Sequence, residues 1–254
     1  MTAKTVKSLL GIAIVLTSSL GIAGPKYLNG TVTKHSDGDT IHFVPNDRHY
    51  AAKPPEKLKI RMLSMDAPET SLVTPEGPKG QQPWGDMATH YLVSLMPLHS
   101  DVTIDDQGKD HFGRTLARVF FSHDDIDLKM VESGWAIPYI ICEGERCTPS
   151  FFDSENVEGY ISACESAVRN ERGIFDSDNP LTEMPFEFRV RMQKREFDKY
   201  VGDFKTKRLY APDQYKRVPM CQRIFFMTQT DALAARYRYK AEFEPLTSTL
   251  ANLF

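Results

Sequence analysis

The sequence predicts an α+β fold: a small antiparallel β-barrel with helices packed around it, followed by a smaller α/β segment. Three observations predict it. Five short segments between residues 30 and 121 carry strand-like patterns, with one helical stretch between the third and the fourth. Two more helical stretches follow before residue 174. Past residue 184 the charge balance changes sign, and strand-like and helix-like patterns begin again. Strands gathered together with a few helices suit a sheet closed on itself and covered by helices.

Gly30 to His35 alternates weakly, and Thr40 to Val44 resumes after Ser36-Asp37-Gly38-Asp39, a hairpin with its turn at Asp-Gly. Residues 45–56 are a polar, Pro-containing loop. From Lys57 to Met65, apolar Leu58, Ile60 and Met62 alternate with Lys57, Lys59 and Arg61, the mark of a half-buried strand. It ends at Asp66-Ala67-Pro68-Glu69, where proline stops sheet pairing. Thr74 to Gly80 is a Pro/Gly-rich loop. Trp84, Met87/Ala88, Tyr91 and Leu95 recur at helical spacing, and Pro97 ends that helix. Val102 to Asp105 and Thr115 to Phe121 read as strands. Leu128, Val131 and Trp135 give a short helix closed near Gly134. Val157, Tyr160/Ile161, Cys164 and Ala167/Val168 give another, with Gly173 at its C-terminal end. In the tail, Phe186, Phe188, Val190 and Met192 alternate strictly with Glu187, Arg189, Arg191 and Gln193, which predicts a strand. Arg223 to Met227 predicts a second strand. Thr228 to Tyr237 predicts a short helix capped by Thr228, with Asp231 three residues on.

With 41% apolar and 26% charged residues in 254, the composition is globular and excludes wholesale disorder. The net charge of −3 conceals a split. Residues 24–184 carry 15 Lys/Arg against 26 Asp/Glu, a balance of −11; residues 185–240 carry 14 against 6, a balance of +8. Two segments so charged have different jobs or attract each other. Lys4 and Lys7, the apolar run Leu9 to Leu16, and the small residues ending at Ala23 form the pattern of an export signal over residues 1–23. The apolar run is short for the ~20 residues of a membrane span. An exported protein, periplasmic or secreted, is therefore expected. Cys142, Cys147, Cys164 and Cys221 are an even set in an oxidising compartment, which favours disulfides with three possible connectivities. The rival zinc site finds neither paired CxxC motifs nor HxxxH.

Three clusters carry one chemical theme. Asp37-Gly38-Asp39-Thr40 is a carboxylate-rich turn, Arg61 is followed by Asp66 and Glu69 at a strand's end, and Asp110-His111-Phe112-Gly113-Arg114 presents an arginine where a strand begins. Cleaving a phosphodiester with a hard cation needs carboxylate oxygens for the ion, a group that activates water, and cations against the developing charge. Guanidinium suits the last task because its fork holds two phosphate oxygens at once. Singly, each carboxylate is a solvated or turn-forming group; only their joint placement with two arginines points to a site. Arg118 shares Arg61's environment and reads as structural, and His35, His42, His90, His111 and His123 show no metal spacing.

Asp37-Gly38-Asp39-Thr40, then Ile60-Arg61-Met62-Leu63-Ser64-Met65-Asp66-Ala67-Pro68-Glu69, then Phe112-Gly113-Arg114 resemble, in order and approximate separation, the three signature segments of the staphylococcal nuclease family. Glu165 to Phe175 resembles the family's last helix and the turn after it, so the likeness covers roughly residues 28–176. The resemblance implies a five-stranded OB-fold with three helices; beyond it lies the basic C-terminal segment, residues 177–254. It implies Asp39 and Asp66 as side-chain ligands of Ca²⁺ and the Ala67 carbonyl as a backbone ligand. Arg61 and Arg114 would grip the scissile phosphate, and Glu69 would position or deprotonate the attacking water. The implied activity is that of a Ca²⁺-dependent phosphodiesterase, a hydrolase of the endonuclease class, acting on DNA and RNA and leaving 3′-phosphate and 5′-hydroxyl ends. Mg²⁺ or Mn²⁺ also take oxygen ligands. Where the family commonly has Tyr before Gly-Arg this chain has Phe112, which can stack on a base but cannot donate a phenolic hydrogen bond. Tyr139 is the further candidate for base stacking.

The basic tail residues Arg189, Arg191, Lys194, Arg195, Lys205, Lys207, Arg208, Lys216 and Arg217 have two readings. They hold nucleic acid, which an acidic domain would otherwise repel, or they dock on that domain; the first is preferred. A monomer without stable membrane association is expected. The competing functions are a non-catalytic nucleic-acid-binding OB-fold module and a Ca²⁺-dependent structural protein. The intact carboxylates argue against the first, and Arg61 and Arg114 against the second.

Overall fold

The structure is a computed structural model describing residues 26–46, 57–74, 76–77 and 79–239. The export signal expected over residues 1–23 and most of the polar loop at 45–56 lie outside the described residues. Strand β1 (Lys26–Asp37) turns through Gly38-Asp39 into β2 (Thr40–Pro45), which pairs antiparallel with β3 (Leu58–Met62). A short β4 (Met65–Asp66) follows, then helix α1 (Trp84–Leu95) and strands β5 (Asp101–Lys109) and β6 (Thr115–Phe121). β5 pairs with β1 and β6, and β6 closes the ring by pairing parallel with β3. The barrel is thus mixed where the sequence suggested purely antiparallel pairing. Five strands in a closed ring cannot all alternate direction, so an odd barrel must contain a parallel pair. Val32, Ile41, Phe43, Ile60, Met62, Ile104, Ala117 and Val119 fill its interior, each at most 1% exposed.

After β7 (Asp124–Asp125) come α2 (Ile126–Glu132), β8 (Ile137–Pro138), β9 (Ile140–Cys142), α3 (Pro149–Ser154) and α4 (Val157–Arg169). Asp125 caps α2 by accepting the Leu128 N–H. The helices expected near 84–95, 128–135 and 157–168 are α1, α2 and α4. The short α3, which starts at Pro149 and buries Phe151 and Phe152, was not foreseen.

The tail corrects one expectation. The alternation at Phe186–Met192 belongs to a helix, α5 (Pro185–Met192), not to a strand. Pro185 sits at its first position, where no N–H is needed, and Glu187 accepts the Met184 N–H at 3.1 Å. Those two local signals outweigh seven residues of alternation. Next come β10 (Tyr200–Asp203), β11 (Leu209–Tyr210), β12 (Arg223–Phe226) and α6 (Gln229–Ala234), whose Thr228 cap bonds the Asp231 N–H. β12 and α6 are the expected strand and helix. The sheet order is β11-β10-β12-β9, so the tail completes its sheet with a strand of the preceding segment, Ile224 lying parallel against Ile140. Disulfides Cys142–Cys147 and Cys164–Cys221 settle the connectivity, and the second ties α4 to the tail. A second core of Ile137, Ile174, Leu181, Phe186, Val201, Val218 and Phe225 draws on both sides of residue 177. No described helix is long and apolar enough to cross a membrane.

Candidate active site

The site grows from two turns of the barrel. Gly38 allows the first to sit against α1: a Cβ there would lie 2.7 Å from the Ala67 Cβ and 3.0 Å from that of Ala88. The next residue, Asp39, is thereby placed in the interior with 6% exposure. Its Oδ1 accepts the Thr40 hydroxyl at 3.0 Å and its Oδ2 the Ala67 N–H at 3.1 Å. The second turn follows β3. Register pairs Arg61 with Thr40, and the strand then breaks at Leu63-Ser64, where Ser64 has φ 63°. The chain re-forms as β4 against β8, and this reversal brings Asp66, five residues on, back to the Arg61 guanidinium.

Arg61 joins the two turns. Its Nη2 lies 3.2 Å from Asp39 Oδ2 and 2.8 Å from Asp66 Oδ1, while Nη1 donates to the carbonyls of Met62 and Met65. Asp66 is fully buried. Glu69 is fixed through its backbone by Gln81, whose Oε1 accepts the Glu69 N–H and whose N–H donates to the Glu69 carbonyl.

A residue from the tail completes the cluster. Arg189 on α5 donates from Nη1 to Asp66 Oδ1 at 2.7 Å and to Glu69 Oε1 at 2.9 Å, and from Nη2 to Asp66 Oδ2 at 2.9 Å. Sequence reasoning counted Arg189 only among the basic tail residues; the opposite charge of the two segments was the one signal that they meet. Gln81 was missed altogether. It is 6% exposed and also donates to the Glu183 carbonyl at 2.7 Å, but nothing in its sequence context marks it.

Three carboxylates, those of Asp39, Asp66 and Glu69, thus share two guanidiniums, and Asp37 lies beside them, its Oδ1 accepting the Asp39 N–H at 3.2 Å. Burial, then repulsion from Asp39 and Glu69, pushes the Asp37 carboxyl up to about 7. Burial works to raise Asp39 too, but Arg61 and then Arg189 outweigh it and hold that carboxyl below its ordinary range. Glu69 is raised by burial, and Arg189 offsets this only in part. The cluster is oxygen-only and carries surplus negative charge, which fits a hard divalent cation. Among the described residues no three His, Cys, Asp or Glu side chains converge on one point. The expected set, two carboxylates and a main-chain carbonyl, is smaller than that.

Among the described residues no hydrogen bond or ion pair joins Arg114, Phe112 or Tyr139 to this cluster. Arg114 opens β6 and is paired with Asp110 at 2.8 Å. Phe112, in the turn between them, is 69% exposed, and the Arg114 guanidinium lies 5.5 Å from its ring centre. Tyr139 is half-buried: its ring lies 4.7 Å from that of Phe225 and 5.7 Å from that of Phe186, with the Arg189 guanidinium 5.8 Å away. Arg118 pairs with Asp125, the structural role expected of it. Of the other tail cations, Lys194 pairs with Glu76 and Lys205 with Glu165, so docking accounts for these two, while Arg191 pairs with Glu183 within the tail itself.

Comparison with known proteins identifies the family. A family model described as staphylococcal nuclease homologue matches residues 59–156. Endonuclease YhcR of Bacillus subtilis is 32% identical over 216 residues, 82% of this chain and 16% of that protein. An uncharacterized endonuclease of Haemophilus influenzae is 28% identical over 150 residues, 59% of this chain and 67% of that protein. The thermonuclease of Staphylococcus intermedius is 31% identical over 120 residues, 47% of this chain and 62% of that protein. The chain therefore spans about a sixth of the first relative and less than two thirds of the third. Arg61, Asp66, Glu69 and Arg114 all fall within the family match, and the barrel that carries them belongs to the staphylococcal nuclease family.

Proposed function

We propose that the chain is an exported nuclease that uses a divalent cation, Ca²⁺ by expectation, to hydrolyse phosphodiester bonds of DNA and RNA. The observation that carries the reading is the meeting of Asp39 and Asp66 at one Arg61 nitrogen, with Glu69 beside them. The relatives' names, endonuclease and thermonuclease, support the same class. Both disulfides and the N-terminal pattern support an oxidising, extracytoplasmic location. The chain is expected to act as a monomer.

Asp39, Asp66 and the Ala67 carbonyl would hold the cation, which when bound supplies Lewis-acid stabilisation of charge at the phosphate. Glu69 accepts a proton from a water that attacks phosphorus; the new P–O bond forms as the bond to the 5′-oxygen breaks, and that oxygen takes a proton from solvent, leaving a 3′-phosphate and a 5′-hydroxyl. Arg61 and Arg114 offset the charge gathering on the phosphate oxygens. Phe112 offers an exposed face to a base, and the half-buried Tyr139, packed beside Phe225, is the second candidate for stacking. A barrel that only bound nucleic acid would leave Glu69 and the paired aspartates without a use.

The test is degradation of single-stranded DNA by the purified oxidised chain, with Ca²⁺ or with chelator. Cleavage that stops with chelator and falls by about 10²–10⁴ in Glu69→Gln is expected. No Ca²⁺-dependent cleavage by the unmodified chain refutes the reading.

A further inference from the structure

We infer that Arg189, delivered by the C-terminal segment, is a positioning residue of the nuclease site: it clamps Asp66 and ties Glu69 to it. The inference rests on the nuclease reading above and adds to it a residue from outside the matched barrel.

The geometry has three parts. Arg189 meets Asp66 fork to fork, both Nη atoms on both carboxylate oxygens at 2.7 and 2.9 Å. That arrangement fixes the carboxylate plane as a single-point lysine contact would not. The same Nη1 reaches Glu69 Oε1 at 2.9 Å, so one guanidinium sets the spacing of the metal-side carboxylate and the water-side carboxylate. Glu69 Oε2 has no hydrogen bond among the described residues, which leaves that oxygen for a water.

Arg189 is also held rigidly. Phe186, three residues earlier on the same helix face, is buried against Tyr139 and Phe225. The stretch leading to α5 is pinned to the start of α1 by the Gln81 side chain on the Glu183 carbonyl and by the Trp84 indole N–H on the Asn179 carbonyl, 3.1 Å. Further on, β12 pairs with β9 and Cys221 is bonded to Cys164. A blocking group has to leave before substrate enters; a side chain anchored on all these sides is built to stay. Charge agrees: Arg189 is a cation set between the Asp66 and Glu69 carboxylates, which would otherwise repel one another.

The experiment uses the full oxidised chain with Arg189→Ala and Arg189→Lys. It measures kcat and KM on a single-stranded oligonucleotide, Ca²⁺ binding by calorimetry, and rescue by added guanidinium against equal sodium chloride. Arg189→Ala is expected to lose about 10²-fold in kcat with KM changed less than about threefold, as loss of an orienting partner does. Guanidinium, but not sodium, should restore about tenfold of that loss, a response that a merely structural defect would not give. Arg189→Lys, which keeps the charge and the fold but not the fork, should stay about tenfold or more below the unmodified chain. The inference is overturned if either variant keeps kcat within about threefold, or if Arg189→Ala binds Ca²⁺ more tightly and cuts faster, the behaviour of a released plug. Failure of the unmodified chain to cut would instead remove the nuclease reading itself.

Discussion

Removing the Cys164–Cys221 disulfide asks what holds the tail to the barrel. A cross-link stabilises by restricting the unfolded chain, and its effect grows with the logarithm of the loop it closes. Cys164 and Cys221 are 57 residues apart, whereas Cys142 and Cys147 are 5 apart. The loop-entropy relation gives about 4 kcal/mol for the long loop and about 2 kcal/mol for the short one near room temperature. All four cysteines are buried, so alanine is the replacement of choice; a serine hydroxyl would add an unpaired polar group. The small cavity left by each lost sulfur is common to both pairs and cancels in the comparison. Urea unfolding of the two double-alanine variants, followed by circular dichroism and tryptophan fluorescence, measures the difference. The Cys164/Cys221 variant should be the less stable by about 2 kcal/mol. Equal losses, or a larger loss for the short loop, would refute the reasoning and leave strand pairing and packing as what holds the tail.

Arg114→Ala should lower kcat by about 10²–10³ by removing a donor to the phosphate. It should cost at most about 1 kcal/mol of stability, because the Asp110 pair it breaks is partly exposed; a variant with kcat within about threefold would sink its assignment. Gly38→Ala sets a Cβ 2.7 Å from that of Ala67, so the turn must move. A loss of about 1–3 kcal/mol together with weaker Ca²⁺ binding in calorimetry is expected, and unchanged values of both would contradict the close approach. Burial, then Asp125, pushes the Asp127 carboxyl well above its ordinary value. It therefore keeps its proton on folding while the unfolded chain releases it, and stability falls as pH rises through this window, by about 1.4 kcal/mol per pH unit. Asp127→Asn keeps an acceptor for the Val119 N–H and abolishes that titration, so denaturation profiles of the two proteins should diverge above about pH 4; parallel profiles refute it.

The parts of the molecule legible in the sequence are those specified by neighbours in the chain. The Asp37-Gly38-Asp39 turn, the alternation of β3 and the spacing of α1 and α4 each need only a dozen residues to declare themselves, and the structure has each where expected. Arg61 and Asp66 are five residues apart, so their meeting follows from one local reversal of the chain. Arg189 and Asp66 are 123 residues apart, and no periodicity reports a contact at that distance. The parallel pairing of β12 with β9 is equally silent, since both are short apolar runs that any sheet would accept. The error at α5 is of another kind: its signals were present, in Pro185 and in Glu187 three residues after Met184, and alternation obscured them.

That error bears on function, because helix and strand put different residues side by side. In a strand Phe186 and Phe188 would share one face and Arg189 would turn to the other. In a helix Phe186 and Arg189 share a face, three residues apart. Phe186 then anchors in the core with Tyr139 and Phe225, and the arginine projecting beside it reaches Asp66 and Glu69. The charge split between the two segments resolves in the same place. An acidic barrel and a basic tail attract, but attraction across solvent is diffuse and screened within about 10 Å at moderate salt. Specific docking needs buried partners, and the most buried of the tail's ion pairs is the one at the site. The tail is thus fastened to the barrel at the carboxylates assigned to the chemistry as well as by its disulfide, strand pairing and shared core, so its docking contributes to their alignment.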